Sequence, residues 1–213
     1  ASNSGGLNVE LTKGDGIRGR TFGDTMLIAG SQYEQGSTPS SYIPTTSATV
    51  TRAADLLTVP AANLPYDSTN MSIQMDGKMT YADDGLTSVR FIRWVQNATN
   101  YIQTVVQTNG SYEGRLRFTQ RESVGGGYEE IGTTGAYFTP DTNIPFNIAS
   151  RHGSTFLNGA EGGTALTADT TPTFLPDLSA TDLLLCDTFM GTIGQFRMWD
   201  EDLTDAGITE AST

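Results

Sequence analysis

An all-β fold, an antiparallel β-sandwich, is predicted by three observations. Short runs rich in Val, Ile, Thr, Phe and Tyr alternate with turn clusters about every ten residues. No convincing amphipathic helix precedes the last dozen residues. The chain holds 24 glycines and 8 prolines in 213 residues, which supply the turns that such a fold needs. That length suits one sandwich plus an appendage.

Composition removes several function classes. Apolar runs such as Leu183 to Cys186 are too short to cross a bilayer, so no membrane insertion is expected. No basic segment precedes an apolar one at the start, so a signal peptide is not expected. Twelve Lys and Arg stand against 24 Asp and Glu, a net charge of −12. Nucleic acid is therefore not an expected partner, because phosphate contacts need clustered cations. A single cysteine, Cys186, leaves no internal disulfide and no cysteine zinc site. A single histidine, His152, leaves no histidine-rich catalytic centre.

Three zones follow in order. Residues 1–36 read as an arm or a sandwich remnant, with strands near Leu7–Leu11 and Thr25–Tyr33. Residues 37–54 read as an extended linker, biased away from helix by Pro39 and Pro44. Residues 55–213 form the main body. At its centre Asn109-Gly110 lies between two alternating runs and predicts a two-residue hairpin turn. Pairing then sets Val106 opposite Glu113, Thr104 opposite Arg115 and Ile102 opposite Arg117. Asn97–Asn100 predicts the preceding turn, which lays Phe91–Gln96 against Tyr101–Val106. Alternation of side chains sorts this meander onto two faces. Ile92, Trp94, Tyr101, Val105, Leu116 and Phe118 form the expected core. The rows Phe91/Val106/Glu113, Arg93/Thr104/Arg115 and Val95/Ile102/Arg117 form the expected outer face.

The linker carries a family resemblance. Ala29-Gly30-Ser31-Gln32-Tyr33-Glu34-Gln35-Gly36-Ser37, then Ser41-Tyr42-Ile43-Pro44-Thr45-Thr46, then Val50-Thr51-Arg52-Ala53-Ala54-Asp55 resembles a segment common in bacteriophage tail and other virion proteins. There a strand reading GAQLEEGS closes one sandwich, and a SYIPT…VTRAAD link leads into a second. The body from about residue 55 is similar to that second domain, a laminin-G-like or concanavalin-A-like jelly roll. Phe189 to Trp199 followed by Asp202-Leu203-Thr204-Asp205-Ala206-Gly207-Ile208 resembles the family's closing strand and helix. Ile193, Phe196 and Met198 are expected to point inward, with a one-residue irregularity between the first two. Thr204 is expected to cap a last turn. That turn is expected to be short and weak, since Gly207 stands where the family usually has Glu or Gln. Arg151 to Gly159 fits a family strand that carries a turn ending in Asn-Gly.

The resemblance implies a virion protein on the particle surface, a tail-fibre or head-decoration component. Its expected partners are other virion proteins and further copies of itself, trimers being usual for phage fibres. Host-surface glycan is a further expected partner.

Candidate chemistry is sparse. Asp83-Asp84, Glu129-Glu130 and Asp200-Glu201-Asp202 lack the alternating E-x-D-x-E strand pattern of jelly-roll glucanases, and they read as turn acids. His152 lacks a placed Tyr, Lys or second His for lyase chemistry and reads as a surface or turn residue. Gly125-Gly126-Gly127 reads as a hairpin tip, and Cys186 as a small buried hydrophobe. No cofactor is expected. Structural Ca2+, which the resemblance allows, would have the acidic loops at Lys13–Gly16 and Ala82–Gly85. The sharpest lead is the outer face. Arg93, Arg115 and Arg117 offer guanidinium forks for carboxylate or phosphate groups, with Phe91 and Ile102 for apolar contact. Tyr112, Tyr128 and Tyr137 are candidate stacking surfaces for sugars. The expected function is non-enzymatic glycan adhesion. The alternatives are a purely structural decoration or cement role, and a polysaccharide lyase or hydrolase.

Overall fold

A computed structural model describes residues 57–81, 88–123, 127–188 and 190–213. The arm, the linker, both acidic loops considered for Ca2+ and most of the triple-glycine tip lie outside the described residues. Within them the strands are β1 (Leu57–Val59), β2 (Asn70–Thr80), β3 (Ser88–Asn97), β4 (Asn100–Gln107), β5 (Leu116–Arg121) and β6 (Tyr128–Gly132). They continue with β7 (Ile144–Gly153), β8 (Leu157–Glu161), β9 (Thr164–Ala165), β10 (Leu183–Leu185) and β11 (Met190–Trp199). One α-helix, α1 (Thr204–Ala211), follows. All strand pairings are antiparallel and form two sheets, β1-β10-β3-β4-β5-β6 and β11-β2-β7-β8-β9. The expected all-β jelly-roll sandwich is the observed fold.

The core lies between the sheets. Trp94, Phe91, Phe118, Met71, Met75 and Ile148 are among its fully buried side chains. Burial of each contributes about 1.5–3 kcal/mol. The Trp94 indole N–H donates to the Thr181 carbonyl at 2.7 Å, so its one polar atom is satisfied.

Two local signals were overridden by tertiary contacts. Asn109-Gly110 does not make the tight turn. Asn109 is extended, at φ −150°, whereas the expected turn needs positive φ at both central residues. A longer loop with one 3-10 turn runs to Gly114, whose φ is +77°. The Phe138 carbonyl passes 2.0 Å from where a Cβ on Gly114 would sit. The Gly114 carbonyl accepts from the Tyr137 and Phe138 N–H groups at 2.8 and 3.0 Å. This packing places the bend at Gly114, and Val106 faces Leu116 while Thr104 faces Phe118. The shift from the expected register is three residues. An odd shift reverses one strand's faces relative to the other. Ile102 and Val106 therefore enter the core, and Tyr101 leaves it.

The second override is a bulge. Arg90 pairs with Val105 and Ile92 with Thr104, which leaves Phe91 as the extra residue. Phe91 and Ile92 are both buried. Phe91 and Ile102, expected on the outer face, are thus core residues, and neither contacts solvent. The expected Asn97–Asn100 turn does form. Asn97 Oδ1 accepts from the N–H groups of Thr99 and Asn100 at 2.9 and 3.0 Å.

On β11 the irregularity falls at Gly194, and Ile193, Phe196 and Met198 pack against the core as expected. The last segment departs from expectation, because α1 is a helix of eight residues. Thr204 does not cap it; the Asp202 carboxylate accepts the Thr204 N–H instead, at 2.8 Å. Two tertiary anchors offset the weak local sequence. Ile208 is fully buried against Ala149 and Ala160. Arg151 is bidentate to Asp202, both contacts 2.7 Å, and donates to Asp205 at 2.7 Å, while it stacks on Phe156 at 3.9 Å. Asn158-Gly159 lies inside β8 rather than at a turn. A Cβ on Gly159 would lie 2.3 Å from the Phe118 ring, so a side chain there is excluded.

His152 is a further correction. It is 0% exposed and lies between the sheets, not at the surface. Gln120 uses its amide N–H groups on the Gly153 and Phe174 carbonyls. Its carbonyl oxygen faces His152 Nδ1 at 3.3 Å, which assigns the ring proton to Nδ1. His152 Nε2 then accepts from the Ser150 hydroxyl at 3.1 Å. Burial lowers the His152 pKa to about 3. With no exposed surface and so low a basicity, His152 is no general base.

Two outcomes follow. The unfolded chain takes up a proton on His152 as pH falls below its ordinary value of 6.5, whereas the folded chain does not. Folding stability should therefore drop below pH 6.5 by up to about 1.4 kcal/mol per pH unit. Urea titrations between pH 7 and 5 should show this slope, and His152→Gln should flatten it. Arg151→Ala should lower stability by on the order of 2 kcal/mol, because two partly buried carboxylates lose their charged donor. A matching loss of protection from hydrogen exchange in α1 would locate the effect.

Candidate functional site

The outer face of the six-stranded sheet is built by parity. On β3 the Phe91 bulge turns Arg90 and Arg93 outward together. On β4, Gln103 and Val105 face the same way, and on β5 so do Arg117 and Arg121. Paired neighbours then form a row Arg93–Gln103–Thr119–Glu130 across four strands. A second row runs Arg90–Val105–Arg117. Of the chain's twelve cations, Arg90, Arg93, Arg117 and Arg121 stand on this face, and Arg115 stands at its rim.

Each arginine is held. Arg90 and Arg93 share Asp187, at 3.3 and 3.1 Å. Arg117 donates to Gln107 Oε1 at 2.6 Å and pairs with Glu130. The Tyr128 hydroxyl donates to the same Glu130 carboxylate. Burial, then that hydrogen bond, raises the Tyr128 pKa to about 12. Arg121 lies 6.0 Å from the Tyr128 ring centre, and Arg115 lies 5.0 Å from the Tyr112 ring centre. Tyr112 and Tyr128 are both about half exposed. A shallow depression of about 200 Å3 crosses the face over Arg90, Gln103 and Thr119. It meets a second of about 370 Å3 beside Tyr112, Arg115 and Thr133, with Arg117 and Glu130 common to both.

Of the site residues expected from sequence, Arg93 and Arg117 share this face. Arg115 belongs to the loop that ends at β5, and it reaches the same surface from the rim. Phe91 and Ile102 are absent from it. Tyr112 and Tyr128 flank it, while Tyr137 is half-buried against the core, its hydroxyl 3.3 Å from the Pro145 carbonyl. Sequence reasoning missed Arg90 and Asp187. The run Arg90-Phe91-Ile92-Arg93 carried the signal, since two adjacent apolar residues between two arginines fit a bulged strand better than strict alternation. Asp187 gave no signal, because β10 joins β3 across a long sequence separation.

The fold has solved counterparts. The CBM40 carbohydrate-binding module of Ruminococcus gnavus IT-sialidase, bound to α2,6-sialyllactose, matches 68% of this chain and 84% of its own. The TM-score is 0.53 at 12% identity. The same module bound to α2,3-sialyllactose matches at TM-score 0.53 and 13% identity, over the same shares of both chains. The receptor-binding domain of botulinum neurotoxin D matches 76% of this chain but 42% of its own, at TM-score 0.56 and 11% identity. At such identities the likeness is one of fold. No protein-family model and no curated protein matches the sequence.

Replacing Glu130 by Gln should lower the Tyr128 pKa, since it removes the charge that holds the phenol proton. Spectrophotometric titration of the tyrosines against the unaltered chain reads this directly.

Proposed function

We propose that this chain is a non-enzymatic binding module that takes acidic saccharides on the arginine face of its six-stranded sheet. The observation that carries the reading is the gathering of Arg90, Arg93, Arg115, Arg117 and Arg121 on one surface of a chain whose net charge is −12. Planar guanidinium groups fit carboxylates bidentately, and half-exposed Tyr112 and Tyr128 offer faces for sugar C–H groups. The R. gnavus module, named in complex with sialyllactose, supports the reading through fold and ligand class together.

Display on a bacteriophage particle, as a tail-fibre or head-decoration component, is the setting we infer from the linker and closing motifs. Those motifs are its whole support, since the structures compared are bacterial proteins. In that setting copies associate, as trimers on the same resemblance, and repeated weak sites add avidity without new contacts. A second reading is structural decoration without sugar. It is favoured by Asp187 and Glu130, which already satisfy Arg90, Arg93 and Arg117. A ligand carboxylate has to displace or share these partners.

The experiment is a glycan array probed with multimerised full-length protein. Oligosaccharides with sialic or uronic acid should be retained, and their uncharged counterparts should not. Arg93→Ala and Arg117→Ala should each weaken retention about tenfold, one bidentate contact being lost. Added salt should weaken it further. Failure to retain any acidic oligosaccharide would overturn the adhesion reading and leave the structural one.

A further inference from the structure

The geometry points to a second binding groove, for neutral hydroxyl-rich ligands of saccharide type, on the outer face of the five-stranded sheet beside α1. This cavity of about 520 Å3 falls within the ordinary range for small-molecule sites. Gln74, Asp76 and Asn147 line it from β2 and β7, Arg197 and Trp199 from edge strand β11, and Glu210 from α1.

Gln74, Asp76 and Asn147 are held in place before any ligand arrives. Asp76 accepts the Gln195 N–H at 3.1 Å and a Gln74 amide N–H at 3.2 Å. The same Gln74 nitrogen donates to Asn147 at 2.8 Å, and Asn147 donates to the Thr213 carbonyl at 2.9 Å. The bulge at Gly194 makes this possible, because a Cβ there would lie 2.1 Å from Asp76 Oδ1. Two groups are left over. Gln74 is 1% exposed, and its carbonyl oxygen accepts no hydrogen bond among the described residues. Arg197 is exposed and has no ion pair among them. The Gln74 oxygen is sealed from solvent, so it lies beneath the groove and does not meet a ligand directly. An exposed guanidinium two residues from a half-buried indole, on the same strand face, is a pairing that suits sugar hydroxyls and C–H faces together.

Charge sets the ligand class. Asp76 and Glu210 outnumber Arg197, so anions are disfavoured here, in contrast to the arginine face on the opposite sheet. The two surfaces share no residue, so each stands or falls alone.

Trp199 supplies the readout. The chain has two tryptophans, and Trp94 is fully buried. Full-length protein would be titrated, to tens of millimolar, with the methyl glycosides of glucose, galactose, mannose and N-acetylglucosamine. A parallel titration would follow 3′-sialyllactose by calorimetry, because Trp199 stands on the opposite sheet from the arginine face. At least one neutral glycoside should shift Trp199 emission saturably. Arg197→Ala should weaken that response at least fivefold, and Arg117→Ala should leave it unchanged, with circular dichroism confirming both folds. The groove is refuted by no saturable response to any of the four, by unchanged binding in Arg197→Ala, or by loss in Arg117→Ala. A sialyllactose response lost only in Arg117→Ala, with no neutral response, would refute the groove and uphold the arginine face.

Discussion

The extra residue at Phe91 is the constraint on which the cationic surface depends. A regular strand would bury Phe91 or Ile92, not both, and would send Arg90 and Arg93 to opposite sides. The bulge resets the alternation. Val89 and Phe91 point inward before it, Ile92 and Trp94 after it, and both arginines point outward. Burial of two further large apolar side chains is worth several kcal/mol, which exceeds the loss of one ladder hydrogen bond at about 1 kcal/mol. The core therefore dictates the bulge, and the bulge dictates where the guanidinium groups meet. Asp187 completes the arrangement, since one carboxylate reaches both arginines only when they share a face.

Much of the fold was legible because sandwich strands announce themselves by composition and spacing. The Asn97–Asn100 turn was readable because an Asn side chain closes it locally. The inward set on β11, with its irregularity, was also readable. What escaped were features set by distant partners. Gly114 outranks Asn109-Gly110 because the 137–138 segment crosses it. His152 resembles a surface residue until Gln120, from the facing sheet, and Ser150, from its own strand, supply its two hydrogen bonds. The site suffered most, because an odd register error exchanges faces. Arg93 and Arg117 survived that exchange since the parity of β5 and of the second half of β3 was right, whereas Ile102 lay on the strand whose parity was wrong.

The five-stranded sheet is finished differently. Its outer face holds Ser72, Gln74, Ala149 and Ala160, small or polar residues that cannot stand alone as a core. Helix α1 covers part of it with Ile208, and Arg151 fixes the helix by joining β7 to the loop before it. Ser72 adds a further tie, accepting the Leu203 N–H at 3.1 Å and donating to the Glu201 carbonyl at 2.9 Å. Gly207 weakens the helix locally, so its persistence is a tertiary property. Where the helix stops short of β11, Asp76, Asn147, Arg197 and Trp199 remain at least partly open, and that gap is the groove beside Trp199.

Charge segregation constrains how such a protein meets an anionic surface. The net charge of −12 sets a repulsive field at long range. At physiological salt that field decays over about 8 Å, so the arginine face acts only near contact. Attraction then comes from a few oriented guanidinium groups rather than from steering. Each of Arg90, Arg93 and Arg117 must also exchange an internal carboxylate for an external one, so the net gain per site is small. Selectivity between acidic groups would come from whether a ligand's carboxylate fits the spacing of Arg93 and Arg117 better than Asp187 and Glu130 do. Useful strength would have to come from several copies acting together.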